Sequence, residues 1–294
     1  MVVLAALLGL VMGAVIGGLG GGGGVLTVPA LVYLLGQSAQ AATTASVVIV
    51  GVTATVGVIA RGRSGGVDWR TGVMFGVVGI PAAWLGTSLN QRVDHPTLML
   101  AFAGLTLVAA VAMLLDARGR RRAAEPAEPA AADPTGDDPD ERGDAATAPA
   151  PEPGTAGTAL ATDRRSRAGP LLATSAKIAV GGASVGFLTG FLGVGGGFLV
   201  VPVLVIMLRM PMSLAIGTSL LIIAVNSASS MVSRLGALHL DWRVVVPFAL
   251  AAVVGTLLGK RISDRLSGRT LGIAFAWLLV AVGSFVGVQN LLAL

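Results

Sequence analysis

Two glycine runs are the part of this chain best suited to do chemistry. Residues 18–29 read GLGGGGGVLTVP, and residues 191–202 read FLGVGGGFLVVP. Glycine costs about 1 kcal/mol per residue against alanine inside a helix, so each run should end a helix. Pro29 and Pro202 follow at equal distance, and proline fits the first turn of a new helix. A break of this kind leaves backbone N–H donors at a helix N-terminus, where the helix dipole is positive. That chemistry suits an anion. The candidate donors are the amides of Gly22, Gly23 and Gly24 and of Gly195, Gly196 and Gly197.

Hydroxyls and amides can complete such a site. Ser46, Thr218, Ser219 and Asn226 fall in apolar sequence just after the glycine runs. Ser and Thr can equally bond back to their own helix. Carboxylates are excluded from the spans: outside residues 116–170 the only acids are Asp68, Asp94, Asp241 and Asp264, all in short loops. A proton relay or cation site usually needs an ionisable group within the membrane. There is no cysteine, no HExxH motif and no βαβ context for a dinucleotide loop, and His95 and His239 lie in unrelated loops. No enzyme activity, cofactor or metal is expected.

The elements that must position these groups are membrane helices. The chain is 54% hydrophobic and 12% charged, with a mean hydropathy of +0.84. Soluble domains are about 25% charged. Apolar stretches of ~20 residues match a hydrocarbon core of ~30 Å. The N-terminal sequence MVVLAALLGLVMGAVIG has no basic n-region and reads as a first span. The fold class expected is an all-α polytopic membrane protein with about eight main spans and two short broken or re-entrant helices.

The chain contains an internal duplication. An offset of 173 places Gly13 on Gly186, Gly17 on Gly190, Pro29 on Pro202, Ser46 on Ser219 and Arg61 on Arg234. It also places Asp68, Trp69 and Arg70 on Asp241, Trp242 and Arg243. Duplication is a mark of secondary transporters. The first repeat should occupy residues 1–116 and the second 170–294. Between them, residues 117–169 are an Ala/Pro-rich acidic linker with no hydrophobic periodicity, expected to be disordered and, with arginines at both ends, cytoplasmic. The Gly13/Gly17 and Gly186/Gly190 pairs fit small-xxx-small helix packing. The Asp-Trp-Arg triplets fit span starts, with Trp at the headgroup level.

Loop charge bears on orientation. In the first repeat, loop 61–70 is +2 and loop 90–97 is neutral; in the second, loop 234–243 is +1 and loop 260–269 is +3. The heavier loop changes place between the copies. An inverted arrangement puts both heavier loops on one side, with the linker.

Residues 186–220, GFLTGFLGVGGGFLVVPVLVIMLRMPMSLAIGTSL, resemble the signature of the TauE/SafE sulfite exporter family, and residues 13–46 look like a diverged copy of it. The resemblance covers all but the linker. It implies a multi-pass permease of the inner or plasma membrane for sulfite, organosulfonates or related small sulfur-containing anions. The residues themselves leave open another small anion, or a membrane assembly protein that transports nothing. The partners expected are a small anion and the lipid bilayer, with a homo-oligomer open and nucleic acid excluded.

Overall fold

Ten α-helices and no strand make up the described residues of the computed structural model, which are 2–90, 95–124, 163–192, 197–234 and 241–292. In chain order they are α1 (Val2–Leu19), α2 (Gly22–Pro29), α3 (Ala39–Gly62), α4 (Trp69–Asn90), α5 (His95–Ala124), α6 (Asp163–Leu192), α7 (Gly197–Ile206), α8 (Met212–Arg234), α9 (Trp242–Ser263) and α10 (Gly268–Leu292). A π-helical turn, Ala30–Leu34, continues α2. Among the described residues, seven helices are long and apolar enough to cross a membrane: α1, α3, α4, α5, α8, α9 and α10. The sequence led us to expect eight. The eighth falls on α6, of which Ala176–Leu192 is described as an apolar helix. Helix covers both ends of segment 117–169, since α5 runs to Ala124 and α6 starts at Asp163. Residues 125–162 lie outside the described part.

The surface is apolar where a soluble protein's would be polar. On α4, Trp84, Leu85 and Val77 are 78%, 67% and 58% exposed. A contiguous apolar exterior on helices that satisfy their own backbone fits hydrocarbon as the surrounding solvent.

In lipid, helices gain little by hiding apolar surface from one another, so close backbone approach carries the packing. Gly9, Gly13 and Gly17 of α1 press on the backbones of Phe248, Ala252 and Thr256 of α9. Gly182, Gly186 and Gly190 of α6 press on Phe75, Gly79 and Ala83 of α4. The 173-residue offset carries one set of contacts onto the other. Residue numbers rise together in both seams, so both pairs are parallel. The Thr256 hydroxyl adds donation to Gly13 O at 3.2 Å and Ala252 O at 2.8 Å.

The central pair is α3 and α8. Gly51 meets Ser227 and Gly57 meets Leu220. Numbers rise on one helix as they fall on the other, so these two offset-matched helices run antiparallel. Arg61, at the end of α3, lies 3.7 Å from Asp264, just after α9. The two more basic loops therefore share a face.

The triplets act as helix starts. Asp68 accepts from Thr71 N at 3.1 Å and from the Thr71 hydroxyl at 2.7 Å, and Asp241 accepts from Arg243 N at 3.1 Å. Trp69 and Trp242 are 51% and 58% exposed at the same level of their helices, as interfacial anchors would be.

One backbone feature yields a stability prediction. Gly36 and Arg209, matched by the offset, have φ of +66° and 53° in the turns that lead into α3 and α8. A left-handed backbone costs a non-glycine residue roughly 1–2 kcal/mol, partly offset by glycine's greater chain entropy. Arg209→Gly should raise stability by about 0.5–1 kcal/mol, read as a higher melting midpoint in detergent.

Candidate functional site at the paired helix breaks

Helix α1 stops because Gly20 turns left-handed, at φ +82°, after its amide closes a last bond to Ile16 O at 2.9 Å. Gly21 caps α2 with φ −62° and ψ −12° and brings no side chain to the task. The new helix thus begins inside the glycine run. Gly22, Gly23 and Gly24 form its first turn, where amides have no intrahelical acceptor. The expected place of the prolines is corrected: Pro29 ends α2 and Pro202 lies within α7. Pro29 offers no N–H, and the backbone widens into the π turn directly after it. In the second half, α6 ends at Leu192 and α7 starts at Gly197. Gly195 and Gly196 fall outside the described residues.

The two breaks meet. A Cβ on Gly21 would strike the backbone of Gly197, and one on Gly197 would sit 3.2 Å from Gly21 O. Gly20 faces the second half as well: a Cβ there would be 2.7 Å from the Ser219 hydroxyl. Around Gly197, eight residues of α7 are buried, and Phe198 is held edge-on by Phe102 of α5 at 5.2 Å.

The structure places the polar candidates as follows. Ser219 is fully buried beside Gly20, and its hydroxyl donates to Ile216 O at 2.8 Å. Ser46 is buried and donates to Thr43 O at 2.9 Å, the offset-matched bond. Both hydroxyls are thus turned to their own helix in this state and offer outward lone pairs; an anion would have to redirect the proton. Thr218 is buried but accepts from Asp68 N at 3.0 Å, so it ties the loop before α4 to α8. Asn226 is half-buried, one turn beyond Ile223, whose side chain meets Gly197. Among the described residues no group of three or more His, Cys, Asp or Glu could hold a metal ion.

Residues 5–286 match the family described as sulfite exporter TauE/SafE. The chain belongs to that family. A probable membrane transporter protein of Xylella fastidiosa strain Temecula1 is 33% identical over 280 residues, covering 94% of this chain and 90% of that protein. The probable membrane transporter protein YunE of Bacillus subtilis strain 168 is 24% identical over 291 residues, covering 96% and 95%. No solved structure gives a significant match. Family and relatives together support a multi-pass membrane transporter.

One residue of this TauE/SafE chain escaped the sequence reading as a candidate. Arg61 counts there as a loop charge, yet α3 runs on to Gly62 and draws it inward. It is 3% exposed, and among the described residues it is the one formally charged side chain that is buried. Its Nη2 donates to Gly17 O, in the last turn of α1, at 2.7 Å. Its Nε is buried without a partner. The usable signal was its match to Arg234 across the offset.

Proposed function

We propose that this protein is a secondary transporter of a small sulfur-containing oxyanion, such as sulfite or an organosulfonate, working in export and without catalytic chemistry of its own. The observation that carries the reading is the meeting of Gly21 with Gly197. It brings two interrupted helices, one from each half, to a common point. Interrupted helices in corresponding places are where transporters bind substrate. Amides of Gly22, Gly23 and Gly24, and of Gly195, Gly196 and Gly197, would donate to the anion, with Ser46 and Ser219 turning their hydroxyls toward it. The absence of carboxylates from the apolar segments fits the same charge.

The antiparallel run of α3 and α8 supports reading the halves as inverted repeats. With the two basic loops on one face, the positive-inside rule makes that face and the linker cytoplasmic. The membrane is then the inner or plasma membrane, with the anion and the bilayer as partners.

Sulfite uptake into proteoliposomes, with sulfate, taurine and sulfoacetate as competitors and an imposed potential, tests the reading. Saturable flux suppressed by at least one sulfonate is the expected result. No flux above empty liposomes, from protein with a cooperative melt, would refute it.

A further inference from the structure

We infer that Arg61, the one buried positive charge among the described residues, sets the charge selectivity of the anion site. The inference rests on the transport reading above and adds to it the residue that senses the substrate's charge. Three observations carry it. The guanidinium is 3% exposed, so its field acts through protein rather than water. It is also poorly neutralised. Asp264 is 3.7 Å away with a side chain 47% exposed, and the same carboxylate makes a shorter contact, 2.7 Å, with Lys260. Finally, Arg61 bonds to Gly17 O, in the last turn of α1 before the break. Gly17 is only a few residues before Gly22, so chain reach sets the charge on the order of 10 Å from the first turn of α2.

A simpler role is also present. Arginine at a helix C-terminus satisfies a carbonyl and complements the negative end of the dipole, and Arg61 does this for α1. Capping leaves the Nε unpartnered and does not require a full charge; a neutral donor would serve. The buried and under-compensated charge is what capping leaves unexplained. An anion arriving at the break would supply the missing counter-charge.

The test is a set of three variants, Arg61→Lys, Arg61→Gln and Asp264→Asn, read by sulfite competition constants in proteoliposomes alongside melting midpoints. Lys and Gln are both shorter donors for Gly17 O, but only Lys keeps the charge. Loss of a unit charge ~10 Å away, at an effective dielectric constant of ~20, weakens binding roughly 15-fold. Arg61→Gln should therefore bind sulfite roughly 15-fold more weakly, while Arg61→Lys stays within about 3-fold of wild type. Asp264→Asn should bind more tightly, by about 3-fold, since a half-exposed carboxylate is partly screened. A structural role predicts the opposite sign for Asp264→Asn, because it removes an ion pair. Equal constants for the Lys and Gln variants, or weaker binding in Asp264→Asn, would overturn the inference and leave the transport reading standing. Wild-type protein that moves none of the anions would overturn both.

Discussion

Alanine in place of Gly21 should cut transport by about a hundredfold while most of the helical structure survives. The Gly21 backbone, at φ −62° and ψ −12°, is one that alanine adopts freely. Loss cannot therefore be laid to backbone strain. It must come from the new Cβ, which would run into the backbone of Gly197 at the first residue of α7. A rigid helix end must then move aside. Displacing a binding element by about 1 Å is enough to cost on the order of a hundredfold. Initial rates of sulfite uptake, with the melt recorded on the same sample, would check this. An unchanged rate would mean that the contact between the breaks has no part in transport.

Gly13→Ala and Gly186→Ala should each destabilise the protein by about 1–3 kcal/mol, the usual cost of overpacking. The added methyl would collide with the backbone of Ala252 in the first case and of Gly79 in the second. Backbone cannot rotate away as a side chain can, so α1 must separate from α9, or α6 from α4. Because the offset carries one contact onto the other, the two losses should be alike in size. The control is glycine with open space around it. Nothing lies within 4 Å of a Cβ built on Gly104 or Gly272. There alanine should stabilise by up to about 1 kcal/mol, from helix propensity alone. Chemical denaturation in detergent separates these outcomes. Equal effects at Gly13 and Gly104 would contradict the packing described.

Much of the fold was legible because it depends on local sequence. Apolar length located α3, α4, α5, α8, α9 and α10, and the glycine runs located both breaks. The spacing of Gly13 and Gly17, and of Gly186 and Gly190, announced close helix contacts. Which helices they touch was not legible. The offset says that Gly13 corresponds to Gly186; it does not say that Gly13 sits against Ala252, in the fourth helix of the other half. That pairing arises from the whole arrangement in the membrane.

The site was legible in the same uneven way. Gly22, Gly23 and Gly24 stood out because helix propensity is a local property. Ser219 was found because it follows the break in both copies. Thr218 is its sequence neighbour, but its bond to Asp68 N joins α8 to a loop 150 residues away, which no short window relates. Arg61 was read as loop charge for the same reason. Its acceptor, Gly17 O, is 44 residues away, and burial of a cation is not visible in composition.

The most direct test of an anion bound by the first turn of α2 is sulfite affinity in Gly24→Ala. A Cβ there meets only Val50, at 3.8 Å, an ordinary contact, so the protein should fold with its midpoint unchanged. The methyl would nevertheless cover the amides that glycine leaves open. Losing one or two hydrogen bonds to a charged group costs about 1.5–3 kcal/mol. Calorimetric titration of the purified protein should therefore show sulfite binding weakened by roughly 10- to 100-fold. Affinity equal to wild type in a normally melting Gly24→Ala would place the anion somewhere other than the glycine break.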